Sequence, residues 1–160
     1  MKLHTKYISL LLLLFCILTC MISCSETDAK HDCSIGCIFS CKIKTPDDAK
    51  NELKKANYPV TIYGRKFENF FKVYNINYKH IDALVHVEGK NDYAAFLYVI
   101  YCDDKKAAET VEADCQYAIY NSIPELLETT SSTLSADDFC VKRKQNVVIF
   151  GLEEIADVIF

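Results

Sequence analysis

The chain has 160 residues, 18 basic against 22 acidic, and a formal net charge of −4. That balance offers no attraction to phosphate backbones or anionic headgroups, which argues against nucleic-acid binding. Four glycines leave no room for a phosphate-cradling loop, and no G-x-S-x-G, H-E-x-x-H or kinase-type set occurs.

Met1–Cys24 reads as an address label. Lys2 and Lys6 form a basic start, an apolar run from Ile8 to Ile22 holds five consecutive leucines, and Ser25-Glu26-Thr27-Asp28 turns polar at once. Charged start, apolar centre and a small residue before the cut are the layout of a secretory signal peptide. As a spanning helix the run is short of the roughly 20 apolar residues required. No A-x-A-like pair precedes a cut. Met21-Ile22-Ser23-Cys24 instead resembles the bacterial lipobox, in which a cysteine follows a small residue and an aliphatic one; Met21 departs from the usual Leu or Val. Ile17-Leu18-Thr19-Cys20 fits less well, because Thr19 is large and apolar residues continue beyond Cys20.

The resemblance implies that residues 1–23 are removed and that Cys24 is lipidated and becomes the first residue. Diacylation then supplies the second chain that stable anchoring needs. From Cys24 onward 137 residues remain, enough for one domain, with 16 basic against 22 acidic residues. A eukaryotic secreted precursor is the competing reading; none of the eight asparagines lies in an N-x-Ser/Thr acceptor. Of nine cysteines, six remain if Cys24 carries lipid, an even number compatible with full pairing outside the cell.

Residues 24–45 read as a tether in which Cys33, Cys37 and Cys41 recur every four residues. On a helix these thiols share one face, and with His31 they invite a metal reading. No second ligand pair of zinc-site spacing exists in the chain, and export favours disulfides or further acylation. Cys33, Cys37, Cys41, Cys102 and Cys140 are therefore the candidates for disulfide or metal chemistry, with Cys140 the expected partner if Cys102 or Cys115 is bridged. No metal or other cofactor is assigned.

The domain, residues 46–160, opens on a helix. Thr45 is its cap, Pro46 its first residue, and Asp47 and Asp48 meet the N-terminal dipole. It runs to about Asn57, and Pro59 forbids continuation. Tyr58–Tyr63 reads as a strand stopped by Gly64, and Phe67, Phe70, Phe71 and Tyr74 mark a helix near 65–74. Ile81–Glu88 alternates as a half-buried strand with His86 on its polar side, read as a surface histidine. After the turn Gly89-Lys90-Asn91-Asp92, Tyr93–Cys102 returns as an apolar strand central to its sheet.

Asp103-Asp104 caps a helix to about Tyr120 whose inner stripe includes Ala108, Val111, Cys115, Ala118 and Ile119. A short helical piece to Leu127 and a loop over 128–136 follow. Phe139–Lys144 and Asn146–Phe150 are strands, Gly151 breaks the second, and Leu152–Phe160 is a closing helix. Asp103/Asp104 and Glu153/Glu154 read as helix starts rather than catalytic acid pairs. Tyr74, Tyr78 and Tyr93 are candidates for an exposed aromatic surface, with half-buried packing preferred.

Ala56-Asn57-Tyr58-Pro59-Val60, the strand–Asp–helix unit at 93–120 and the ending Asn146 to Phe160 are similar to small uncharacterised lipoproteins of Gram-positive bacteria. Leu152 stands where Thr often follows the glycine. The resemblance implies an α+β domain and transfers no catalytic residue. The expectation is thus an α+β fold, a small antiparallel or mixed sheet with helices mainly on one face. It is expected to be held at the extracytoplasmic face of the cell membrane by its lipid and to bind a protein, peptide or sugar without catalysis. The alternative is a secreted thiol- or metal-binding protein using the C-x3-C-x3-C segment.

Overall fold

A computed structural model describes residues 43–160 apart from 65, 66, 90, 91 and 93. Residues 1–23, expected to form a signal peptide, and Cys24, His31, Cys33, Cys37, Cys41 and Tyr93 lie outside the described residues.

Helix α1 (Pro46–Lys55) starts as its sequence dictates. Asp48 N–H donates to Thr45 Oγ1 at 3.2 Å, and Thr45 N–H donates to Asp48 Oδ2 at 2.9 Å, a reciprocal capping box. Asn57 in the left-handed region (φ 62°) ends it ahead of Pro59. Ala49 and Leu53 form its buried side. Strand β1 (Val60–Tyr63) and the short α2 (Glu68–Val73) follow, then β2 (Ile81–Glu88) and β3 (Phe96–Cys102). Long α3 (Lys105–Asn121) and α4 (Ile123–Thr130) lead through a single 3₁₀ turn to β4 (Phe139–Lys144), β5 (Val147–Leu152) and the one-turn α5 (Glu153–Ala156).

The five strands form one sheet in the order β1-β2-β3-β5-β4, every neighbouring pair antiparallel. Every residue of β3 is buried, as its unbroken apolar run requires of a central strand. The register sets Val87 opposite Leu97 and Leu97 opposite Gly151, so Leu97 lies at the centre of the sheet. The fold is α+β.

Alternation along the strands places the helices. Arg143 Nε donates to Glu112 of α3 at 2.6 Å, whereas its neighbour Lys142 donates to Asp157 beyond α5 at 2.7 Å. Adjacent strand residues point to opposite faces, so α3 and α5 cover opposite faces. Tyr98 and Tyr101 repeat the division. Tyr98 meets Phe70 and Phe71 of α2, and the Tyr101 hydroxyl donates at 2.7 Å to the Thr45 carbonyl ahead of α1. Helices therefore lie mainly on one face, α2 and α3 with α4 packed on α3, while α1 and α5 cover the other.

Three boundaries differ from the sequence expectation. Gly151 does not break β5: the strand continues through it to Leu152, with Gly151 at φ 146° and paired to Leu97. The closing helix is only Glu153–Ala156, since its N-cap Leu152 has no side chain to satisfy the first N–H groups and β-branched Val158 and Ile159 follow. Helix α4 runs on to Thr130, where the Thr129 and Thr130 hydroxyls donate to the Glu125 and Leu126 carbonyls at 2.7 and 2.8 Å.

Candidate functional site

The largest correction concerns His86. It is 7 % exposed and lies among aromatic rings, with centroids 5.0 Å from Tyr98, 5.1 Å from Phe70 and 6.3 Å from Tyr63. Its strand is covered on both faces, because α2 lays Phe70 over the side that alternation assigns to solvent. Burial lowers the imidazole pKa from 6.5, opposed by the Glu88 carboxylate. Around it the aromatic layer continues through Tyr74, Phe96, Phe150 and Phe139. Tyr74 is one of its members, 5 % exposed and hydrogen-bonded to Tyr98, and burial pushes its phenol up to about 12. Tyr78 is half-buried, which agrees with the packing reading of these tyrosines.

The three described thiols, Cys102, Cys115 and Cys140, are free. Cys102 ends β3 on the face covered by α3, whereas Cys140 pairs with Gly151 and points to the opposite face. Cys115 is on the buried side of α3. A disulfide needs Cα atoms within about 7 Å and Cβ vectors that converge. The sheet itself stands between Cys140 and the other two, so the structure does not bring Cys140 together with Cys102 or Cys115. Burial pushes Cys102 up to about 12 and raises Cys115 and Cys140 as well, which favours the protonated thiol in all three.

Of the carboxylates read as helix starts, Asp104 is the N-cap of α3, and Glu153 and Glu154 lie in the first turn of α5. Asp104 caps α3 by accepting from Ala107 N–H at 2.7 Å, and Asp103 Oδ2 lies 3.3 Å from His80 Nδ1 on an exposed surface. Glu153 and Asp157 flank Lys142 at 3.4 and 2.7 Å. Asp92 accepts from Ala94 N–H at 2.8 Å and from the Ser132 hydroxyl, which ties the β2–β3 connection to the segment after α4 and lowers the Asp92 carboxyl. No group of three metal-ligating side chains occurs among the described residues. The recess beside α1 is lined by Asp48, Asn51, Glu52, Lys54 and Lys55, all from a single helix. It presents no converging set of donors.

Two surface features remain. Tyr117 and Tyr120 of α3 are 60 % and 80 % exposed. The inner stripe Ala108, Val111, Cys115 and Ala118 already implies this, since residues 117 and 120 fall on the opposite side. The second feature is a contrast between sheet edges. Strand β4 carries Lys142, Arg143 and Lys144, while β1 reads Val-Thr-Ile-Tyr and is nowhere fully buried.

No protein-family model, curated protein or solved structure matches the chain. Among the described residues no helix is long and apolar enough to cross a membrane.

Proposed function

We propose that the chain is the precursor of an exported lipoprotein whose domain acts as a non-enzymatic binding module at the extracytoplasmic face of the cell membrane. The observation that carries the reading is the run from Lys2 to Cys24: basic start, apolar centre, Ser23 and then a cysteine, followed at once by polar residues. The domain supports it by what its reactive groups do. Burial favours the protonated form of its three thiols, Asp104 caps α3, Glu153 pairs with Lys142, and His86 packs among rings. What it offers to a partner is surface, namely the α3 tyrosines and the outer edge of β1, with which no strand pairs among the described residues. A protein, peptide or sugar is the class of ligand such a surface takes; the acidic balance disfavours nucleic acid.

Radioactive palmitate tests the anchor. Label is expected in the wild-type chain and absent from Cys24→Ala. An unlabelled wild type, or label that persists in Cys24→Ala, contradicts it. The alternative, thiol or metal chemistry at Cys33, Cys37 and Cys41, rests on their four-residue spacing and requires a bound metal or a fast-alkylating thiolate.

A further inference from the structure

We infer that β1 is a homodimerisation edge, at which two copies of this chain join their sheets into one of ten strands. β1 is hydrogen-bonded to β2 on one side, and among the described residues no strand pairs with its other side. In an antiparallel sheet alternate residues direct N–H and C=O groups outward, so an edge strand is a template for another. Native sheets blunt such edges with charge, proline or bulges. β4 is blunted in this way by Lys142, Arg143 and Lys144; β1 has no charge, and its register to β2 is unbroken from Val60 to Tyr63. Val60 and Ile62 on one face and Tyr63 on the other are each left partly exposed, as is Phe70 beside Tyr63. A strand added at this edge covers all four.

A second copy is the occupant that the charges favour. Antiparallel β1–β1 pairing about a two-fold axis normal to the sheet is isologous, and it keeps equivalent faces on the same side. Helix α1, which packs on β1 and β2, then runs antiparallel to its symmetry mate. Its first turn is acidic (Asp47, Asp48) and its last turn basic (Lys54, Lys55), so the two ends complement each other across the axis. The same operator sends both N-termini to one side, because Tyr101 holds the Thr45 carbonyl on the α1 face of the sheet. Two chains anchored in one membrane satisfy this arrangement. The 19 peptide steps from Cys24 to Ile43 reach at most about 65 Å, and confinement to a surface raises the effective concentration of so short an interface. Confinement to a membrane rests on the function proposed above.

The test uses the full chain, extracted from membranes and sized by sedimentation, with palmitate incorporation scored on the same samples. Thr61 is exposed, so Thr61→Lys and Thr61→Glu leave the protomer intact while placing like charges at the axis. The wild type is expected to be dimeric. Each variant alone should dissociate at least tenfold more readily, and its melting temperature should match that of the wild type once both are diluted to monomer. An equal mixture of the two should recover a heterodimer, whereas Gln145→Lys at the β4–β5 turn should have no effect. A wild type that is monomeric, a Thr61→Lys homodimer as tight as wild type, a mixture no tighter than either variant, or a foreign peptide recovered stoichiometrically on β1 overturns the inference. A labelled monomer refutes the dimer and leaves the anchor standing; an unlabelled dimer does the reverse.

Discussion

Gly151→Ala isolates a feature on which the whole sheet depends. A Cβ built on Gly151 overlaps the Phe96 carbonyl oxygen and comes within 2.7 Å of Leu97 Cα. Both belong to β3, the fully buried central strand, and neither is the end of a flexible side chain that can swing aside. Residue 151 also has φ 146°, where an L side chain is strained by about 1–3 kcal/mol. Relief requires β5 to withdraw from β3, which weakens the Leu97–Gly151 pair and its neighbours. Strain and displacement together cost about 3 kcal/mol or more, in the range of severe core lesions. For a domain of this size that lowers the melting temperature by roughly 10–15 °C. Gly64→Ala is the control: nothing lies within 4 Å of its Cβ position, and its effect should stay within about 0.5 kcal/mol. Thermal unfolding followed by circular dichroism reads both. If Gly151→Ala melts within about 2 °C of wild type, strand β5 does not approach the β3 backbone closely at residue 151, and the Leu97–Gly151 pairing is wrong.

His86→Ala should destabilise the domain by about 2 kcal/mol in urea unfolding, because it empties space between Phe70 and Tyr98; an unchanged midpoint contradicts its burial. Since burial lowers the folded-state pKa of His86 from 6.5, the unfolded chain binds the proton more readily. The stability it contributes is then complete above pH 6.5 and declines as pH falls through the lowered value. His86→Phe should flatten that decline, and a slope identical to wild type refutes the assignment. Leu97→Asp places a carboxylate where no water or cation reaches it, at a cost comparable to the roughly 5–15 kcal/mol that holds a domain folded. It should give an unfolded spectrum at 25 °C, and a cooperative wild-type melt contradicts the central position of β3. Among the domain thiols, maleimide should modify half-buried Cys140 at least tenfold faster than Cys102 or Cys115 in the native state; equal rates contradict the burial of the latter two.

Local rules made much of the fold legible. Thr45, Pro46 and Asp48 specify the start of α1 by capping chemistry alone, and the unbroken run Phe96–Cys102 specifies a central strand by hydrophobicity alone. What escaped depends on what one element lays over another. Alternation puts His86 outward because it knows nothing of α2, whose Phe70 closes that face. A glycine inside an apolar run reads as a stop, yet Gly151 is required by the close approach of the β3 backbone. Cys140 is the expected partner if Cys102 or Cys115 is bridged, but the order β3-β5-β4 separates it from Cys102 by a strand and by the two faces of the sheet. The proposed anchor lies in residues before the domain, where composition and order alone carry the signal; the proposed contact surfaces become visible only once the edges of the sheet and the outer side of α3 are placed.

The intact mass of the mature protein, extracted from membranes and measured without reductant, tests the central claim most directly. The predicted result is a chain that begins at Cys24 and carries on that sulfur one lipid group with two acyl chains, with no bound metal. An unlipidated chain, a first residue other than Cys24, or a mass that includes a metal ion contradicts it.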